Sequence, residues 1–372
     1  MIRKSLLAFF TLSLLLGCSS SDEGDSGSQN DGFDRQVMLS NWADNIIIPA
    51  YQDLNADLMD LSAQKEAFVN SPNQANLETL RASWLSAYKT WQYLEMFTSG
   101  KAEETNYVFQ MNVYPTNVDD IEANIASGNY DLSNPNNNDA VGFPALDYLL
   151  FGLAETDAQI LNAYTSNTKA EANKTYLSDV VNQMQSLTAT VLNDWTGTYR
   201  DAFVNSTGNT ATSATNKMTN DFIFYYEKGL RANKIGIPAG VFSAAPLSSK
   251  VEAFYNEEIS KTLALEGLNA VQDFFNGKAY NSNATSGSFK AYLEYLNTIN
   301  NGEDVSALIN SQFNAARTKI ESLDNNFVQQ VETDNTQMTE AFDALQKVVV
   351  LLKIDMVQAM SIRLDYADSD GD

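Results

Sequence analysis

The chain has 372 residues and a formal net charge of −24, with 47 acidic side chains against 23 basic ones, no histidine and one cysteine. A surface this acidic repels phosphate backbones and anionic headgroups, which excludes nucleic acid as a partner. Without imidazole there is no Ser-His-Asp or Cys-His catalysis and no imidazole-ligated zinc.

The first eighteen residues read as an export signal. Arg3 and Lys4 form a positive start, and Ser5 to Leu16 is an apolar run too short to span a bilayer. It ends in Leu15-Leu16-Gly17-Cys18, which resembles the bacterial lipobox, and the single cysteine falls where that signal is cleaved and acylated. Cys18 is therefore expected to carry acyl chains that anchor the protein to a membrane. With Cys18 lipidated, thiolate chemistry and internal disulfides are unavailable. Residues 19–34 are polar and rich in serine and glycine, as in a flexible tether.

From residue 35 onward the period is helical. Tyr51, Leu54, Leu58 and Leu61 share one face, with Pro49 starting or kinking that helix and Ser71-Pro72-Asn73 ending it. Leu77, Leu80, Trp84, Ala87, Trp91 and Leu94 form the clearest stripe, wide enough to require a thick neighbouring layer. Residues 101–141 are less regular, holding Val113-Tyr114-Pro115-Thr116, a short helix over 118–125 and an asparagine-rich loop. Helices are expected at about 144–153, 157–165 and 170–204, then a polar loop at 205–217. A second set follows at 220–235, 248–277, 285–300, 304–330 and 334–363, with Val348 to Leu352 buried on every side. No useful strand alternation appears. The expected fold is all-α, two helical-bundle domains packed side by side, over 35–210 and 211–372.

No glycine-rich phosphate loop is present, so the remaining chemistry belongs to carboxylates, amides, hydroxyls and phenols. Calcium on carboxylates, ferric iron on tyrosinate and carboxylate, or a paired-carboxylate hydrolase would each be compatible. The local acidic groups Asp119-Asp120, Glu257-Glu258 and Asp368-Asp370-Asp372 read more simply as solvated faces or a frayed tail.

One stretch stands apart. Gly142-Phe143-Pro144-Ala145-Leu146-Asp147, continued by Tyr148-Leu149-Leu150-Phe151-Gly152, resembles the signature of the imelysin family: glycine, any residue, histidine, two residues, glutamate, then an aromatic-aliphatic helix. Leu80 to Trp91, Val113 to Ile121, Lys234 to Pro238 and Val251 to Tyr255 resemble further family segments in the same order. The resemblance implies two bundle-like domains with the signature near their interface, a place in the bacterial envelope and an association with iron acquisition. The family's founding member is classed as a metallopeptidase. Here Pro144 stands where the histidine would be, and proline can neither ligate a metal nor move a proton. Asp147 keeps the glutamate's charge with a reach shorter by one CH₂. The same residues also make a sound helix start, with Pro144 in the first turn and Asp147 beside the positive end of the helix dipole.

The function expected on these grounds is non-catalytic ligand binding connected with iron or metal uptake, in an envelope lipoprotein anchored to the outer membrane and facing the periplasm or the surface. The candidate ligand-binding residues are Gly142, Pro144, Asp147, Trp91, Tyr114, Pro115 and Asp119, with Asp147 as the candidate metal ligand for iron or another hard ion. The expected partners are the membrane through Cys18, an iron complex or metal ion, and a component of an uptake system. A metal- or carboxylate-dependent peptidase of the imelysin type and an envelope scaffold are the alternatives.

Overall fold

The computed structural model describes residues 31–366, with 301 and 303 excepted. The signal segment, Cys18, almost all of the 19–34 tether and the terminal Asp368-Asp370-Asp372 lie outside the described residues. The described chain is all-helical, with only an isolated bridge between Lys278 and Thr285 in place of any strand.

The first helical rod is longer than the apolar spacing predicts. Helix α1 (Arg35–Asn41) runs through a π-helical turn, Trp42–Ile47, into α2 (Ile48–Asn70) without interruption. Pro49 therefore sits inside a continuous rod. The widened π turn just before it moves the hydrogen-bond register, so the missing proline N–H leaves no abrupt break. Helix α3 (Gln74–Trp91) starts where expected, capped by Asn73 accepting from the Asn76 N–H at 3.1 Å. Its predicted stripe, from Leu77 through Leu94, is fully buried.

Short helices α4 (Lys101–Glu104), α5 (Tyr107–Met111) and α6 (Val118–Ser127) lead to α7 (Gly142–Asp147), which continues as a π turn over Tyr148–Gly152. Helix α8 (Asp157–Thr165) and the long α9 (Ala170–Asp194) complete the first bundle, in which α2 packs between α3 and α9. A π turn at Trp195–Tyr199 bends at Gly197 into α10 (Arg200–Asn205). The expected single helix over 170–204 is thus two.

The second bundle begins at α11 (Ala214–Phe224), inside the expected loop, and passes into a π-helical stretch over Tyr225–Gly236. The expected helix at 248–277 forms only as α12 (Ser260–Phe275), because residues 251–256 are irregular and carry Glu252 into the interior. Helices α13 (Phe289–Asn300), α14 (Val305–Glu321), α15 (Phe327–Thr333) and α16 (Asn335–Val350) follow, then a π turn at Leu351–Met356 and α17 (Val357–Met360). The expected all-round burial of 348–352 fails at Val350, which is 43 % exposed.

One continuous apolar cluster links the two bundles. The N-terminal rod serves both. Trp42 packs against Phe274 and Phe289 of the second bundle, and the Asn41 amide donates to the Gly277 and Gly287 carbonyls at 3.0 Å each. Further along, the same rod is the centre of the first bundle.

Candidate functional site

Helix α7 is positioned by its glycine. Gly142 has φ +72°, and a Cβ there would lie 2.2 Å from the Met111 carbonyl oxygen. Only glycine lets α7 start this close to the end of α5. Helix α7 begins at Gly142, so Pro144 is its third residue, and its absent N–H is still one of the four without an intrahelical acceptor.

The structure corrects the reading of Asp147 as a first-turn charge on its own helix. Asp147 is the last α-helical residue, is buried, and points across the seam between the bundles. Its Oδ2 accepts from the Tyr255 backbone N–H at 2.8 Å and its Oδ1 from the Asn256 N–H at 3.0 Å. The positive partner is therefore a turn of backbone from the second bundle. Burial pushes the Asp147 carboxyl up to about 7, while the two N–H donors pull it down. The Tyr255 ring packs near Tyr148 at 5.3 Å, and a Cβ on Gly152 would lie 2.4 Å from it. Ala253, two residues before, is buried with φ +55°, a strained conformation for alanine.

These elements enclose a pocket of about 200 Å³ lined by Tyr114, Pro115, Pro144, Asp147, Val251 and Tyr255 among others. The Tyr114–Pro115 peptide is cis. Four of the sequence candidates, Tyr114, Pro115, Pro144 and Asp147, thus meet at one place. Gly142 acts behind them as a backbone device. Trp91 lies in the core against Tyr107 and Phe143 and does not line the pocket. Asp119 is exposed in the first turn of α6 and does not line it either.

Beside this pocket is a buried ionic network, none of whose members stood among the sequence candidates. The Lys234 ammonium lies 2.6 Å from Glu252 Oε2 and 3.6 Å from Glu95 Oε2. The Asn112 amide donates to Glu95 Oε1 and Glu252 Oε1, both at 2.9 Å. The Tyr88 hydroxyl reaches Asn112 Oδ1 at 2.7 Å and Glu252 Oε1 at 3.0 Å, and its ring stacks on Phe143 at 4.5 Å. Burial holds the Glu95 carboxyl above the ordinary carboxylate range, with Lys234 pulling it down and Glu252 adding to the rise. The available signal was one charged residue in each of three apolar settings: Glu95 after Trp91 and Leu94, Lys234 before Ile235, Glu252 after Val251.

Chemically, the pocket offers a buried carboxylate, a phenol and apolar walls. Among the described residues, no group of three or more His, Cys, Asp or Glu is placed to hold a metal ion. Asp147 already spends both oxygens on backbone donors, so it fits a bare metal ion poorly.

Replacing Asp147 with Asn is expected to cost about 1–3 kcal/mol, because its NH₂ would face one of two buried N–H donors. The folded carboxyl lies above its ordinary value of 3.8. Its stabilising contribution is therefore complete below that value and is lost as pH rises through about 7. Urea titrations from about pH 8 to about pH 5 should show the wild type gaining on Asp147→Asn as pH falls. A cost that does not change across that window removes the buried carboxyl from the account.

The architecture and signature helix together define an all-helical protein of two joined bundles, with a pocket at their seam under a glycine-started helix. The sequence profile of the imelysin family matches residues 47–353, and the chain belongs to that family. Iron-regulated protein A from Synechococcus elongatus is 24 % identical over 160 residues, an alignment covering 41 % of this chain and 44 % of that protein. Two solved structures share the fold. A protein assigned as an iron-regulated protein A precursor from Parabacteroides distasonis superposes with a TM-score of 0.69 at 17 % identity, covering 87 % of this chain and 94 % of that one. An imelysin-like protein from Psychrobacter arcticum gives 0.64 at 17 % identity, covering 88 % and 96 %.

Proposed function

We propose that this protein is a lipid-anchored component of the bacterial envelope that binds a ligand without transforming it, in the service of iron or metal uptake. The observation that carries the reading is Pro144. It lines the seam pocket at the position of the signature histidine, in a chain with no histidine at all. The pocket keeps the family's shape-giving residues, Gly142 and an acidic residue at 147, while the proton-transfer group is replaced by one that only shapes the wall.

The donor set favours a ligand that brings its own chelator over a naked ion, since Asp147 alone offers no coordination sphere and is already hydrogen-bonded. Iron in a small complex is the cargo this reading names. The name of the cyanobacterial relative is in keeping with it. The lipobox ending at Cys18 supports the anchor, with the outer membrane as its site and an uptake-system component as the protein partner.

Calorimetric titration of the purified protein with ferric citrate, calcium and zinc tests the proposal. Binding of ferric citrate with no heat from calcium or zinc is the expected result. No heat from ferric citrate at about 1 mM, a free energy weaker than about −4 kcal/mol, overturns it. Cleavage of an unfolded protein substrate would overturn the non-catalytic part. In cells, Cys18→Ala should release the protein from the membrane fraction.

A further inference from the structure

A cleft opens where α2 and α3 of the first bundle meet α12 and the loop that follows it. It has two lobes, of about 340 and 510 Å³. None of the described residues lining it borders the Asp147 pocket. Tyr93, Tyr280 and Asn281 line both lobes, and the Tyr93 and Tyr280 rings meet edge to face at 5.5 Å. Concave spaces of this size between packed units are where small-molecule sites form.

The cleft is held in shape from both bundles. The loop over 277–286 is closed by the Lys278–Thr285 bridge, and the Tyr280 N–H donates to the Asn45 carbonyl of the N-terminal rod at 2.8 Å. The Tyr280 hydroxyl donates to Asp53 Oδ2 at 2.6 Å, and the Tyr93 hydroxyl donates to Glu266 Oε2 at 3.3 Å. Burial and the neighbouring carboxylates push both phenols well above their ordinary range, so both stay protonated. A phenol that donates to a carboxylate keeps its oxygen lone pairs, polarised, for a hydroxyl of a ligand.

The charges of the cleft cancel locally. Lys278 lies 3.0 Å from Asp273 and Lys89 lies 3.6 Å from Glu266. Asp53 accepts from Tyr280 and, at 3.4 Å, from the Asn281 amide. An anion would therefore meet carboxylates that already hold the two lysines. No group of three or more His, Cys, Asp or Glu among the described residues is placed to hold a metal ion. What remains on offer is donors and acceptors side by side, next to two ring faces. A sugar matches that set, because its hydroxyls donate and accept at once while its C–H face lies against an aromatic ring.

We propose that this cleft binds a short neutral saccharide that spans both lobes, with one sugar ring against Tyr93 and Tyr280 and its hydroxyls bonded to Glu266, Asp273 and Asn281. The site is separate from the Asp147 pocket, and failure of ferric citrate to bind there leaves it standing.

The test titrates the purified protein by calorimetry with three neutral trisaccharides: cellotriose, maltotriose and the N-acetylglucosamine trimer. Trigalacturonate and spermidine serve as the anionic and cationic controls. At least one neutral trisaccharide should bind with a Kd below about 1 mM, and at least roughly tenfold more tightly than either control. Tyr280→Leu removes a ring face and a polarised hydroxyl, and should weaken that binding at least roughly tenfold. Ala82→Trp, at an exposed position of α3 on the larger lobe, should block it while the circular dichroism spectrum and melting temperature are retained. The second variant keeps the test decisive if Tyr280→Leu loosens the loop. No neutral trisaccharide bound at about 1 mM, a control bound as tightly as the best of them, or affinity that survives Ala82→Trp would each overturn the proposal.

Discussion

Replacing Lys234 with Met should destabilise the protein by about 3–5 kcal/mol, because it leaves two buried carboxylates without a counter-charge. A domain-sized protein holds only about 5–15 kcal/mol in total, so this one change would consume a large part of its stability. The network joins both bundles: Tyr88, Glu95 and Asn112 come from the first, Lys234 and Glu252 from the second. The loss should therefore appear as weaker docking of one bundle on the other. Adding Glu252→Gln to Lys234→Met should restore at least about 1–2 kcal/mol, since it removes one of the two stranded charges. The pH dependence has a definite sign. The folded Glu95 carboxyl already lies above its ordinary range, and losing Lys234 removes the group that pulls it down. The defect should be worst at high pH and shrink as pH falls and the carboxyls take up protons. Urea unfolding at several pH values, read by tryptophan fluorescence, provides the check. A loss under about 1 kcal/mol at neutral pH would mean that solvent reaches the network and screens it.

Gly142→Ala should cost about 4 kcal/mol or abolish folding, although it adds a single methyl group. The new Cβ would meet the Met111 carbonyl oxygen at 2.2 Å and the Gln110 carbonyl oxygen at 2.9 Å, both backbone atoms that cannot rotate away. It would also force alanine into φ +72°. Either α7 shifts, carrying Pro144 and Asp147 out of the pocket wall, or α5 shifts with the Asn112 that follows it. Both routes damage the seam, so ligand binding at the Asp147 pocket should fall along with the melting temperature. Gly128 provides the control. It too has positive φ, at +61°, but a Cβ there meets nothing within 4 Å. Gly128→Ala should cost only about 1–2 kcal/mol of backbone strain. Comparable melting temperatures for the two variants would refute the steric account of Gly142.

Much of the architecture was legible because helix amphipathicity is a local code. The Leu77-to-Leu94 stripe, the break at Ser71-Pro72-Asn73 and the start of α7 next to Gly142 all follow from spacing and turn chemistry over a few residues. The errors fell where distant segments override local preference. Residues 251–256 carry no strong breaker, yet they leave the helical path so that Glu252 can meet Lys234 and the Tyr255 and Asn256 N–H groups can meet Asp147. Pro49 announces a break that the π turn before it absorbs.

The candidate site divides in the same way. By itself the sequence determined that the chain is helical, that it belongs among imelysin-like proteins, and that position 144 holds a residue unable to do acid–base chemistry. Those facts depend on residue identity and short-range order. It also placed Tyr114, Pro115, Pro144 and Asp147 among the candidates. Only the tertiary structure decided that these four share a pocket while Trp91 and Asp119 stand away from it. Only it showed that the Asp147 charge is met by backbone donors from the other bundle, and that Glu95, Glu252 and Lys234 converge where the bundles meet. Charge pairing and burial are properties of distance, and residues more than a hundred positions apart in the chain, such as Asp147 and Tyr255, acquire a distance only when the bundles close on each other.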